Sequence, residues 1–439
     1  MTLSPRPPPD PSPWGDTSLL AVALDLLRNH LVDPPSDPPA NVGPPALPST
    51  LPSRGMGNAA ALDLLAGLVL PGAAMLDAPG FVAQMDPPTA PVSAAAATWT
   101  SWLNQNLLHP GTAPSTLPLD ELVVAWLAAA FGFDGGHVVA GSSVATLTAL
   151  WAARDVGGVR EVVTSRAAHV SVRKAAEILG LAYREVDVDR HDRLVAAALG
   201  DVTGSAVVAA VGTVASGAID PLPSIVERRP GWLHIDGAWG GPLQFSPAHR
   251  FRLAGIEAAQ SIGFSAHKLL YQPKGCAFVL FADAAKAQAP MTYGGGYLRA
   301  PNIGVAGSRG ASTLPLAALL LSWGADGLAA AVDRVVDQGQ LLATALADSG
   351  RFEIRQTPET GICLFRPISR SPDNPPAAVR TRGVCVSHVV IDDEVWWRAV
   401  MVNPQADLEL VVAVLVESLV ESLVESPIES PIESAGTDG

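Results

Sequence analysis

Residues Trp232–Phe281 read WLHIDGAWGGPLQFSPAHRFRLAGIEAAQSIGFSAHKLLYQPKGCAFVLF. Three short apolar runs stand out in it: Trp232–Ile235, Ser261–Phe264 and Ala277–Phe281. Each is too short for a helix and nearly continuous in apolar character, the pattern of a strand covered on both faces. Upstream, the runs His137–Val139, Glu161–Thr164, Tyr183–Val188 and Ala206–Val211 repeat that pattern, with helical stretches between them. Strands alternating with helices predict an α/β layered fold around a mainly parallel seven-stranded sheet. In such sheets ligands bind where strand ends meet loops.

The flanks are different in kind. Residues 1–56 are dense in proline except for Ser18–Leu31 (SLLAVALDLLRNHL), whose leucines recur at helical spacing. The chain then turns Ala/Leu-rich, and Leu119–Phe131 (LDELVVAWLAAAF) predicts a helix with one buried side. A long helix and shorter strand and helix segments over 315–424 predict a small C-terminal α/β domain, with strands at Phe352–Arg355, Ile362–Arg366 and Val384–Ile391 and a helix over Asp407–Leu423. The end, ESLVESLVESPIESPIESAGTDG, repeats every four residues, and Pro427 and Pro431 stop any helix. The expected organisation is an arm with helices over 1–95, a large domain over 96–314, the small domain over 315–424 and an acidic disordered tail over 425–439.

A chain of 439 residues, 48% of them hydrophobic and 16% charged, can bury a large core and is not a disordered protein. Lys and Arg number 28 against 42 Asp and Glu, a net charge of −14, which leaves no basic face for nucleic acid or an anionic membrane. The apolar stretches, such as Ala206–Ile219, are broken by Gly, Ser and Thr and fall short of the roughly 20 residues a membrane span needs, so no transmembrane helix is expected. Cys276, Cys363 and Cys385 stand far apart, without the spacing of a zinc site or a disulfide framework. With no secretory pattern at the start, a reducing cytoplasm is the expected compartment.

The chemistry concentrates in the opening stretch. Asp236 closes one strand, and Lys268 follows another after His267. A strand-end lysine facing a strand-end carboxylate suits pyridoxal phosphate: the amine forms a Schiff base, and the acid keeps the pyridine nitrogen protonated so that the ring accepts electrons. Upstream, Gly141-Ser142-Ser143 lies between a strand and a helix, where backbone N–H groups and the helix dipole make an anion site.

Here the sequence resembles the group II pyridoxal-phosphate decarboxylases, the family of the aromatic amino acid, glutamate and diaminobutyrate decarboxylases, over about Met85–Pro404. HIDGA and SAHK are similar to the family's H-V-D-A-A and D/N-x-H-K. GSSVAT resembles its phosphate-cradling run, SRAAHVSVRKAA its A-H-x-S-x-x-K/R-A, and VGTVASGAIDPL its G-T-T-x-x-G-A-x-D-P-L. QMDPP, LNQNL and VWWRAVMVNP resemble further elements in the family's order.

The resemblance implies a fold-type I pyridoxal-phosphate enzyme that decarboxylates an L-amino acid. It makes Lys268 the Schiff-base lysine, Asp236 the pyridinium partner, Ala238 the small residue under the ring and His169 the imidazole stacked on it. Ser142, Ser143, Thr213, Ser265 and His267 complete the cofactor shell. Tyr297, with Tyr293 second, becomes the loop acid that reprotonates the carbanion, and Ser308 reaches the phosphate of a neighbouring subunit, which implies a homodimer. The departures are Val144 for a usual Glu, Leu117-Pro118 for Thr-Glu, Ser265 for Asp or Asn, and Trp239 for a smaller ring. Trp102 and Trp239 either favour an apolar substrate or pack. Transamination, β-elimination and aldehyde-forming oxidative decarboxylation use the same Lys and Asp, and a cofactor-binding protein without catalysis is the alternative of a different class.

Overall fold

The computed structural model describes residues 17–32, 47–296, 298, 301–368 and 377–424. Tyr297, the segments 1–16 and 33–46 of the arm, and the tail 425–439 lie outside the described residues. Contacts divide the chain into two compact units, Met1–Met75 with Arg380–Gly383, and the remainder. In the first, the helix read at Ser18–Leu31 is α1 (Ser18–Val32); neither it nor α2 (Asn58–Val69) buries a residue.

The second unit opens with α3 (Pro91–Leu103) and α4 (Thr116–Phe131) and then alternates strands with helices. The order is β1 (Gly135–Val139), α5 (Ser142–Asp155), β2 (Glu161–Ser165), α6 (Ser171–Leu179), β3 (Ala182–Val186), β4 (Ser205–Ala210), α7 (Leu222–Val226), β5 (Trp232–Asp236), β6 (Ser261–Ser265) and β7 (Ala277–Phe281). All seven predicted runs are strands of one sheet, in the order β1-β7-β6-β5-β4-β2-β3. Only β7 runs against its neighbours, pairing antiparallel with both β1 and β6.

Alternate residues of each strand feed different cores. Val163, Val207, Leu233, Ile262 and Phe278 point into a core closed by Leu127 and Phe131 of α4. Val162, Ala206, Val208 and Val279 point into another, closed by Ala145, Ala149 and Leu150 of α5 and by Val172 and Ala176 of α6. The sheet is therefore the middle of three layers, which is why its central strands β4, β5, β6 and β7 are buried at every position. One contact fixes α5 on the sheet. A Cβ added at Gly263 on β6 would stand 2.8 Å from the Ala145 methyl, so glycine there lets the helix seat directly on the strand.

After β7 come α8 (Ala284–Gln288), the short pair β8 (Thr292–Tyr293) and β9 (Asn302–Ile303), and α9 (Thr313–Asp348). By length and composition α9 contains an 18-residue window apolar enough to cross a membrane, with a mean hydropathy of 1.5, where the sequence reading expects no stretch of that size; core helices of soluble proteins pass the same test. It is not one rod. Gly324 has φ 61° and ψ −171°, a left-handed turn that breaks the helix, and Leu316, Leu319, Val332, Val335 and Leu346 are buried along it. β10 (Phe352–Ile354), β11 (Ile362–Pro367), α10 (Ala377–Thr381), β12 (Ser387–Ile391), β13 (Glu394–Val400) and α11 (Leu408–Val424) follow. The four strands form an antiparallel sheet, β10-β11-β13-β12, whose core is shared by Leu342 and Leu346 of α9 and Val411 and Leu415 of α11.

Candidate active site

Parallel register brings the carboxyl ends of three strands level. Ala210 at the end of β4 pairs with Asp236 at the end of β5, and Asp236 with Gly263, two residues before the end of β6. With α5 seated on β6, its first residue reaches the same edge, and the Ser142 and Ser265 hydroxyls stand 2.6 Å apart. A cavity of about 420 Å³ opens there. It is lined by Ser142, Ser143, His169, Thr213, Asp236, Ala238, Ser265, His267 and Lys268, the whole predicted shell apart from Tyr297 and Ser308.

Each wall has a distinct chemistry. The first N–H groups of α5 have no intrahelical carbonyl to bind, and with two serine hydroxyls beside them they suit a phosphate. Asp236 is buried, and its Oδ1 accepts the Ala238 N–H at 3.1 Å, which orients the carboxylate and leaves Oδ2 for a cationic N–H. The Ser171 N–H donates to His169 Nδ1 at 3.1 Å, so the proton of the neutral ring resides on Nε2. His267 Nδ1 lies 3.1 Å from the Cys276 carbonyl, an acceptor only, so here the proton is on Nδ1; burial holds this imidazole below its usual pKa. Thr213 Oγ1 accepts from the Ala218 N–H at 3.1 Å and sits 3.0 Å from Ser216 Oγ. Burial lowers the Lys268 pKa, opposed by the Asp236 carboxylate, and this enlarges the fraction of free amine available as a nucleophile.

The substituted positions find structural reasons. Ser265 replaces an acidic or amide residue, and its hydroxyl compensates by pairing with Ser142. Trp239 is buried and donates Nε1–H to the Thr360 carbonyl at 2.9 Å, outside the cavity lining, so it packs. Trp102 is exposed on α3 and does not line the cavity either. Tyr293 is exposed, its ring 6.4 Å from that of Trp151, and it too lies outside the lining.

Ser308 is in a different neighbourhood. Its hydroxyl accepts from Asn106 Nδ2 at 3.1 Å, and its neighbours Gly307 and Arg309 line a second cavity of about 560 Å³. There Arg309 grips Asp120 of α4, with Nη1 donating to Oδ1 at 2.9 Å, and Thr313 Oγ1 donates to the same oxygen at 2.6 Å. His137 lines that cavity, and burial pushes its pKa down to about 4.

Three charged residues near the main cavity were not singled out from the sequence. Lys274 lines the cavity six residues past Lys268 and pairs with Asp86, the acid of QMDPP. Arg398 on β13 is buried, donates to the Ala83 carbonyl at 3.2 Å and makes no ion pair among the described residues. A charge inside the apolar run VWWRAV was the available signal for Arg398; Lys274 in a turn carried none.

Asp220, the acid of AIDPL, supports the edge from below. Its Oδ1 accepts the Leu194 N–H and its Oδ2 the Ala210 N–H, both at 2.7 Å. Burial nonetheless outweighs those donors and pushes its pKa up to about 7. A folded-state pKa above the unfolded value of roughly 3.9 means stability that is full below that value and lost as pH rises through about 7. Asp220→Asn puts an amide NH₂ against one of the N–H donors and should cost about 1–3 kcal/mol. The wild-type advantage should be larger at pH 5 than at pH 7.5 in urea unfolding, and a deficit of equal size at both would disprove the ionisation.

The pyridoxal-dependent decarboxylase conserved domain matches residues 46–368 of the chain. The L-2,4-diaminobutyrate decarboxylase of Rhizobium meliloti is 31% identical over 408 residues, 83% of this chain and 82% of that one. Human cysteine sulfinic acid decarboxylase is 32% identical over 215 residues, 42% and 44% of the two chains. Among solved structures, Oryza sativa TDC with PLP and tryptamine has a TM-score of 0.83 at 20% identity, covering 94% of this chain and 99% of that one, a likeness of fold. The cavity walls fit that cofactor group by group: helix terminus to phosphate, carboxylate to ring nitrogen, amine to aldehyde. On both grounds the chain belongs to the pyridoxal-dependent decarboxylase family and is a pyridoxal-phosphate-dependent amino acid carboxy-lyase.

Proposed function

We propose that Lys268, Asp236 and His169 carry the decarboxylation of an L-amino acid in the cavity at the ends of β5 and β6. The observation that supports this most is the convergence, in one cavity, of a buried amine, an oriented carboxylate and a helix N-terminus. When bound, pyridoxal phosphate supplies an electron sink for the bond to the leaving carboxylate. Lys268 would hold the cofactor through its amine. Asp236, with Oδ2 left open, would keep a ring nitrogen protonated. His169 offers a flat neutral face with its N–H on Nε2, and Ser142 and Ser143 with the α5 terminus bind the phosphate. Proton return to the α-carbon is proposed for Tyr297, as the family resemblance implies; Tyr293, its second candidate, stands outside the cavity lining.

The proposal extends to a homodimer. Trp99, Trp102, Leu103, Leu122 and Trp126 are exposed on α3 and α4, and Ser308 lies outside this chain's own cavity. Sedimentation velocity should give twice the chain's 45.3 kDa, and a single-chain mass at micromolar concentration would remove the dimer. The buried thiols of Cys276 and Cys363 support the cytoplasm as the compartment. The activity is tested with a panel of L-amino acids: amine and carbon dioxide should appear in equal amounts. An aldehyde or keto acid in place of the amine would move the chemistry to another pyridoxal-phosphate reaction.

A further inference from the structure

Side-chain chemistry around the cavity is unequal in sign. Of the two carboxylates beside it, Asp236 faces the cofactor's ring nitrogen in the reading above, and Asp86 is already paired with Lys274. Of the cations, Lys268 is committed to the cofactor, whereas Arg398 is buried without a carboxylate partner among the described residues. Lys274 lines the cavity, and its partner is a half-exposed side chain. A substrate with a cationic side chain would find no uncommitted carboxylate among the described residues of the lining. A substrate with an aromatic side chain would find no Phe, Tyr or Trp among the described lining residues, Tyr297 lying outside them. Met85 and Gly275, the sequence neighbours of Asp86 and Lys274, also line the cavity.

We infer that the Asp86–Lys274 pair is the specificity device of this enzyme: Asp86 is the resting counter-ion of Lys274, and the side-chain carboxylate or sulfinate of an acidic amino acid replaces it. An ion pair open to water on both sides is weakly held, so the exchange costs little. The gain comes when the incoming acid is shielded by the cavity wall, where charge pairing is stronger. Asp86 also acts on its surroundings, since its field reaches Lys268, His267 and Arg398, and its release from Lys274 keeps a counter-charge beside those groups. The inference rests on the decarboxylase reading and refines it to acidic substrates.

The test compares wild type, Lys274→Met and Asp86→Asn, all loaded with pyridoxal phosphate. The substrates are L-aspartate, L-glutamate, L-cysteine sulfinate, L-2,4-diaminobutyrate and L-tyrosine. Wild type should favour an acidic substrate by about 10-fold or more in kcat/KM. Lys274→Met should raise KM for it by about 10- to 100-fold with kcat little changed, and leave the poor neutral substrate unaffected. Asp86→Asn should lower that KM. Preference for diaminobutyrate or tyrosine, or an equal loss on every substrate in Lys274→Met, would overturn the inference. Calorimetric titration with glutarate, which has no amine to react, gives a readout free of turnover: binding should weaken in Lys274→Met, and unchanged binding also overturns it. If no amino acid yields carbon dioxide, the decarboxylase reading fails, and the titration still decides the charge assignment.

Discussion

Lys268→Ala protein mixed with pyridoxal phosphate should show no protein-bound visible absorption band and should lose amine formation by about 10³-fold or more. The expectation follows from what surrounds the amine. Lys268 follows the end of β6 in the lining of the cavity, and burial lowers its pKa, which favours the free amine. The other lysine among the described lining residues, Lys274, is largely exposed and paired with Asp86. Folding should survive, since the backbone of the turn is fixed by the Ala266 N–H bond to the Cys276 carbonyl and by Tyr271 N–H to the Lys268 carbonyl, both 3.0 Å. The control is far-UV circular dichroism. A folded variant that retains the band and turnover would remove Lys268 from the proposed role.

Asp236→Asn should be the next largest loss, about 10²- to 10³-fold in kcat, with the visible band still formed. The carboxylate is placed by backbone alone, at the last residue of a five-residue strand buried throughout, with one oxygen held by the Ala238 N–H. An amide of the same shape keeps the packing but cannot hold a proton on a ring nitrogen, so binding and catalysis should separate. Equal losses of cofactor affinity and kcat would instead make Asp236 a packing residue. His234, two residues earlier, shows the contrast: burial lowers its pKa to about 4, and its Nδ1 meets Ser261 Oγ at 2.9 Å within the sheet.

The strands were legible because a doubly covered sheet demands apolar residues at every position, and that demand is written locally. Asp236 and Lys268 were legible because a charge at the end of such a run has to face something. Strand direction was not, since a fully buried run such as Ala277–Phe281 reads the same both ways, and only pairing shows β7 reversed. The break in α9 rests on one glycine among many. Lys274 and Asp86 meet across 188 residues from two irregular segments, where no periodicity marks a side chain's direction. Trp239 was read with two roles, and its bond to the Thr360 carbonyl, 121 residues away, selects packing.

The seat of α5 on Gly263 implies a hidden vulnerability. Neither Gly263 nor Ala145 lines the cavity, yet the thickness of one methyl group between them sets how far Ser142 stands from Ser265. A heavier residue at either place lifts the phosphate cradle away from the strands that carry the amine and the acid. A random-mutant screen scored by loss of pyridoxal phosphate from soluble protein would thus return hits at two small, chemically silent residues, and inspection of cofactor contacts alone would misfile them as bystanders.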